Sequence, residues 1–487
     1  MNDGLYPLSF PQRMFWLLEQ FMPGTPAYNI PRAFKVTGLL DVQAVHGVFR
    51  ALLRRHDISR TSFIARDGAL FQCVHDDINL NVNVRNLSHL ALSMGEVEAL
   101  NIASEEARKP FDLECPPLLR VTLFRLRPEE HLLVLVMHHV IIDGWSMSIL
   151  FKDIAELYAE LALGRQPQFA PLPVRYTDFA QWQQQQFAGG PPEMEIAYWQ
   201  NKLHGCPAFL ELPTDHPRPA VQGNRGSSES FRIDNVHAGR LKELCAREGV
   251  TPYMALLAVL QALLSRYSGK FDIPVGTPVA GRNHPEIANL VGCFINTLVL
   301  RGDLSGNPRF RELLVRVRAV ALEAYAHQEL PFELLLARLK CERSPSHSPL
   351  FQVMFVLQNA PRQVIRLPGL VLEELELHSG LVKFDLTLEI VEDEEGLYCQ
   401  LEYSSDLFER ATIERMVRHF QNLLSSAIEN PACPIAELNM LGELERKQLL
   451  VDWNATTTGY PRDLTIPRAF EKQVRRTPNA VALIEPE

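Results

Sequence analysis

The run His138-His139-Val140-Ile141-Ile142-Asp143-Gly144 sets two adjacent imidazoles directly after an unbroken apolar stretch, Leu132 to Met137. That stretch, flanked by His131 and His138, reads as a strand buried on both faces. Side chains alternate along a strand, so the two histidines are expected on opposite faces, one serving the interior and one facing a cleft. A neutral imidazole at a cleft can accept a proton, or hydrogen-bond an attacking amine, near pH 7. Asp143-Gly144 makes a tight turn into the helix behind it, and a carboxylate there reads as a clamp on the turn rather than a second catalyst. A lone histidine is more often a packed or surface residue. Two in a row behind a buried strand tilt the reading to catalysis.

The elements that must hold this run are legible on both sides of it. Asp41 to Arg55 places Val42, Val45, Val48, Phe49, Leu52 and Leu53 on one helical face, with Asp41 as a candidate cap. From Ser146 onward Ile149, Leu150, Ile154, Leu157, Tyr158 and Leu161 recur at helical spacing until Gly164 and Pro167. Gly189-Gly190-Pro191-Pro192 and the stretch from Pro213 to Ser228 read as loop or crossover between two lobes. The second half repeats the mixed pattern. A helix over about 237–247 ends near Gly249, and Thr251-Pro252 opens another that reaches about Tyr267. Leu298 to Leu300, Phe351 to Leu357 and Leu386 to Ile390 are strand-like. Asp452 to Pro461 is polar and turn-rich, and Ile466 to Leu483 predicts a new amphipathic helix and strand.

Composition bounds the class. A chain of 487 residues is too long for one ordinary core, so two lobes plus extras is the expectation. The hydrophobic share of 46% with 22% charged residues is that of a globular protein. A net charge of -10 argues against nucleic acid as partner, since phosphate neutralisation needs a basic face. The eight cysteines include no CxxC pair, which suits neither a metal site nor a disulfide scaffold and points to free thiols. Met1 to Tyr6 lacks a signal-peptide pattern, and no apolar run spans a membrane, so the expected compartment is the cytoplasm.

Met137 to Ser146, reading MHHVIIDGWS, resembles the active-site motif of the condensation domains of nonribosomal peptide synthetases. Further motifs of that family appear in order. Leu8 to Trp16 (LSFPQRMFW) resembles the first, with Pro11 where Ala is usual, and Tyr28-Asn29-Ile30-Pro31 follows it. Arg55 to Phe63 (RHDISRTSF) resembles the second, with Ser59 in place of the common Leu. Tyr176 to Trp182, Val291 to Thr297 and His327 to Glu333 resemble the fourth, fifth and sixth, and Arg343 to Leu350 is a looser match to the seventh. The resemblance covers roughly residues 5–450. Residues 466–483 are similar to the start of an adenylation domain.

The resemblance implies a mixed α/β fold, a V-shaped pseudo-dimer of two chloramphenicol-acetyltransferase-like lobes with the active-site tunnel between them. It implies lobes over 1–175 and 176–450, then a linker and truncated adenylation start over 451–487. His139 would be the catalytic, cleft-facing histidine, acting as base or as amine-orienting group. His138, Asp143, Gly144 and Arg55 would support it, with Asp143 paired to Arg55. Trp145, Ser146, Met147, Asn296 and Thr297 become tunnel candidates. The reaction implied joins a donor acyl thioester to the amine of an aminoacyl thioester, with no metal and no bound cofactor. Phosphopantetheine arms of carrier domains, or coenzyme A, would bring the substrates. The partners implied are a peptidyl carrier domain as acceptor, an acyl-CoA or acyl carrier as donor, and an adenylation domain downstream. Intact histidines argue against a heterocyclising relative, and Trp145 preceding Ser146 against an epimerising one. The first motif begins close to Met1, which points to a starter domain that N-acylates an amino acid with a fatty acyl group. An elongation domain is the alternative within the family. A free-standing acyltransferase or a non-catalytic carrier-docking module are alternatives of other classes.

Overall fold

The computed structural model describes residues 4–167, 169–339, 344–358, 365–367, 369–377, 379–459 and 462–484. One compact unit runs through Met440, and a second begins at Leu441, ahead of the boundary near 450 expected from sequence.

The apolar run Leu132 to Met137 lies in the strand Glu130–His138, whose residues from 131 on are all buried. It is interior to a six-stranded sheet, between Asn29–Thr37 and Leu119–Arg127, with Asn29 opposite His138 and Leu119 opposite Met137. Ladders on both edges and packing on both faces explain why no polar residue interrupts it. The helix Val42–Arg55 begins where Asp41 accepts the amides of Gln43 and Ala44 at 2.8 and 3.1 Å. Its expected face is buried from Val45 to Leu53, while Val42 stays partly covered.

A second six-stranded sheet forms the other lobe, in the order Asn296–Asp303, Asp272–Val279, Val353–Gln358, Leu386–Asp393, Gly396–Ser404, Gly226–Asp234. Under it lies the helix Pro252–Ser268, capped by Thr251 and buried at every position from Met254 to Ser265. A helix apolar all round belongs in a core. The helix before it, Asn235–Glu248, stops at Gly249, whose φ of 66° is the left-handed conformation glycine takes without strain. By length and composition this bent helix pair alone, and no single helix among the described residues, would suffice to cross a membrane.

The lobes are interlaced rather than consecutive, which corrects the division at 175. Strand Leu370–Leu375 joins the first lobe's sheet beside Asn29–Thr37. Ile287, Leu290, Val291, Cys293 and Phe294 belong to the first lobe's hydrophobic core. The second unit contains the helix Ile466–Arg476, but residues 481–484 form no strand. A strand needs a hydrogen-bonded neighbour, and none is present there among the described residues. Of the looser seventh motif, Arg343 lies outside the described residues, as does Cys341.

Candidate active site

His138 and His139 separate by leaving the strand rather than by its pleat. His138 is the last strand residue, and its Nδ1 accepts the amide of Val140 at 3.1 Å, starting a short 3-10 turn, His139–Ile141. Its ring is 2% exposed and sits edge-on to Phe15 and Phe111. His139 remains half-buried and stacks on Phe15, centroids 4.9 Å apart and planes 23° apart. Its Nδ1 lies 4.0 Å from the thiol of Cys293, contributed by the second half of the chain. Burial, with the Lys383 ammonium next in weight, holds both imidazoles down to about 3. Both rings are therefore neutral near pH 7. Burial also pushes the Cys293 thiol well up, as does Asp143, so the pair is thiol and imidazole rather than thiolate and imidazolium.

Asp143 clamps the turn, with a different partner from the one expected. Its Oδ1 caps the helix Gly144–Leu161 by accepting the Ser146 amide at 2.8 Å, and its Oδ2 accepts the Phe294 amide at 2.8 Å. The guanidinium beside it belongs to Arg282, at 3.4 Å, with both side chains 3% exposed. Arg282 also donates to the carbonyls of Ile287 and Leu290 and stacks 4.0 Å over the Phe294 ring. The expected Arg55–Asp143 pair does not form. Arg55 donates to Asp153 at 2.9 Å, shares that carboxylate with His56, and stacks over Phe169. Asp153 is ten residues along from Asp143, about 15 Å at helical rise. Arg55, at the end of its own helix, meets the third turn of Gly144–Leu161 and not its start.

The remaining candidates divide. Ser146 is fully buried, donating to the Gly292 carbonyl at 2.7 Å and accepting the Gly292 amide at 3.1 Å. Met147 is 5% exposed in the first lobe's core, on the helical face shared with Leu150 and Ile154. Asn296 is committed to structure: it donates to the Gln328 and Leu330 carbonyls at 2.8 Å each and accepts the Phe332 amide at 3.0 Å. Trp145 keeps 53% of its surface while its Nε1 donates to the Ala288 carbonyl. Gly144 is exposed, and a β-carbon on it would lie 3.6 Å from the amide of Gln358. Thr297 and Asn296 line an open cleft with Phe10, Met14, Trp182 and Phe332.

Tyr176 completes the junction. Its hydroxyl donates to the Cys293 carbonyl and shares a 2.8 Å hydrogen bond with Ser9 Oγ. Gly292 is required beneath that ring, because a β-carbon would come within 2.1 Å of it. Sequence reading missed Arg282, Cys293 as a neighbour of His139, and Lys383. The one hint for Arg282 was a charged residue after a glycine at the end of a buried strand; Gly281, at φ 63°, makes the turn that aims it inward. Among the described residues no three His, Cys, Asp or Glu side chains gather as metal ligands.

The family model for the condensation domain matches residues 2–450. The chain belongs to the condensation-domain family. A linear gramicidin synthase polypeptide from Brevibacillus parabrevis is 44% identical over 488 residues, covering 100% of this chain and 6% of that protein. Tyrocidine synthase 3 of the same organism is 39% identical, covering 98% of this chain and 7% of that protein. The chain thus spans a small part of these relatives' length. Among solved structures, the X-domain from teicoplanin biosynthesis is similar at TM-score 0.82 and 28% identity, with 91% of this chain and 99% of that one covered. The first condensation domain of the calcium-dependent antibiotic synthetase shares the fold at TM-score 0.76 and 20% identity, covering 91% and 100%. This condensation domain is thus of the nonribosomal peptide synthetase type, with the mixed α/β, chloramphenicol-acetyltransferase-like fold.

Proposed function

We propose that this condensation domain elongates a peptide, joining a carrier-bound aminoacyl or peptidyl donor to the amine of an aminoacyl thioester, with His139 as the residue that meets the amine. The observation that supports this reading is a neutral, largely buried imidazole at the point where first-lobe Phe15 and second-half Cys293 converge. The amine nitrogen attacks the thioester carbonyl, the new C–N bond forms, and the C–S bond breaks from a tetrahedral intermediate. An imidazole held at about 3 is a poor final home for the amine's proton, but a good acceptor of a hydrogen bond from it. His139 then orients the lone pair of the free amine, and the proton ends on the departing thiolate. Bringing both arms to one point supplies the larger share of the rate.

The substrates arrive on phosphopantetheine arms of a donor and an acceptor carrier domain, with an adenylation domain following in the same synthetase. The fatty-acyl starter reading drew on the closeness of the first motif to Met1, and that position carries no weight in a chain spanning so little of its relatives. We place the domain in the cytoplasm, where its thiols stay reduced; no disulfide joins any of the described cysteines.

Purified protein, given an aminoacyl acceptor carrier and a peptidyl donor carrier, is expected to form the amide, read by mass spectrometry of the acceptor arm. His139→Ala should lower turnover by at least about tenfold with an unchanged melting temperature. A second reading, a docking module without turnover, is favoured by the likeness to the X-domain, which has been solved in complex with OxyB. That reading gains if His139→Ala changes nothing.

A further inference from the structure

In the second lobe's sheet, Thr387 lies opposite Glu402 and Glu389 opposite Gln400. The next strand sets Ser228 opposite Glu402 and Ser230 opposite Gln400. Paired residues share a face, so these six side chains form one polar patch across three strands. The alternating residues Leu386, Leu388, Ile390 and Leu401 are buried against the helices, while Thr387, Glu389, Gln400 and Glu402 stay half-buried. Lys383 precedes these strands and reaches across to the first lobe, its Nζ 5.3 Å from the centroid of the Tyr28 ring. Tyr28 stands edge-on to Phe15 at 5.1 Å, and Phe15 carries the His139 ring. The Lys383 end of the patch thus adjoins the first lobe beside the reacting histidine.

Lys383, Glu389 and Glu402 act on one another electrostatically, and Arg32 of the first lobe acts on Glu402. Yet none of the three forms an ion pair or a side-chain hydrogen bond with a described residue. Burial pushes the Lys383 ammonium down and the Glu402 carboxyl up to about 7, so water alone solvates them poorly. Unpaired charged groups in such a place are costly unless a polar ligand meets them. A hydrocarbon chain would displace their water and offer nothing in return. A peptide brings carbonyl oxygens to the ammonium and N–H groups to the carboxylates. The patch spans three strands, about 10 Å, the length of roughly three extended residues. Of the two substrates, only the donor is that long.

We infer that Lys383, Glu389 and Glu402 form a donor-selective chamber that receives the backbone amides of a peptidyl donor of about three residues and disfavours a hydrocarbon acyl chain. This deepens the amide-forming reading above and rests on it. The test presents one donor carrier loaded with either a tripeptidyl or an octanoyl thioester, with the same aminoacyl acceptor, and measures kcat/KM for each. The wild-type domain is expected to prefer the tripeptidyl donor by at least tenfold. Lys383→Met and Glu402→Leu should each shrink that ratio at least fivefold, through the KM of the tripeptidyl donor, with Lys383→Arg restoring part of it. Where Lys383→Met fails to fold, Lys383→Gln stands in for it, and melting curves accompany each variant. Equal use of both donors by the wild type overturns the chamber alone, as does a ratio unmoved in the variants. Absence of amide from either donor sinks the amide-forming reading and the chamber with it.

Discussion

The His139 ring is uncharged near pH 7. Its ordinary value near 6.5 would leave a fraction protonated at neutral pH, but burial and the Lys383 cation hold it at about 3. The imidazole shifts of His139, assigned by comparison with His139→Gln, should therefore stay flat in NMR spectra from pH 5 to 8. A titration midpoint near 6.5 would return the residue to an ordinary proton-accepting base. The histidine pair and the clamp role of Asp143 were legible in the sequence because both depend on local geometry, a buried strand followed by a turn. The partner of Asp143 was not. Arg282 lies 139 residues further along, and only folding brings it to the carboxylate. Arg55 belongs to a motif as recognisable as the histidines, but recognising a motif does not say which carboxylate its charge will meet.

At the level of elements, the start of the helix Gly144–Leu161 is tied to the segment from Arg282 to Phe294 through Asp143, Ser146 and Trp145. The tie is buried, so cutting it from one side leaves an uncompensated charge. Arg282→Met should lower unfolding free energy by about 3–5 kcal/mol in denaturant titrations and reduce kcat with it. Arg55→Met should cost less, about 1–2 kcal/mol, because His56 keeps its hold on Asp153, and turnover should stay within threefold. Equal losses in the two variants would argue that Asp143 draws on Arg55 after all. Helices were read well from sequence: the caps at Asp41 and Thr251 and the stop at Gly249 each rest on one residue's chemistry. The strand expected before residue 483 was read wrongly, because a strand is a property of two segments and periodicity reports on one.

For the whole molecule, the shifted groups set how stability follows pH. His138 and His139 hold near 3 when folded but would rise to about 6.5 when unfolded, so the unfolded chain binds more protons between those values. Their contribution is fully present above about 6.5 and is lost as pH falls. Glu402 acts in the opposite sense: its folded value near 7 lies above the unfolded 4.5, so folding retains a proton there and gains stability as pH falls through that window. Glu402→Gln removes the opposing slope. Its unfolding free energy should fall more steeply than wild type between pH 6.5 and 5, by about 1 kcal/mol per pH unit. A parallel pair of curves would mean that Glu402 titrates normally.

The two-lobe architecture was expected from chain length and from the family resemblance, but the crossing of Leu370–Leu375 into the first sheet was not, since nothing local distinguishes a strand that stays home from one that migrates. That migrating strand limits how such domains can be recombined. A hybrid joined at residue 175 would inherit its first sheet from one parent and an edge of that same sheet from the other, along with the loop that fills the first core. Working swaps should exchange the whole of residues 4–440, or else carry both migrant segments along with the lobe they complete.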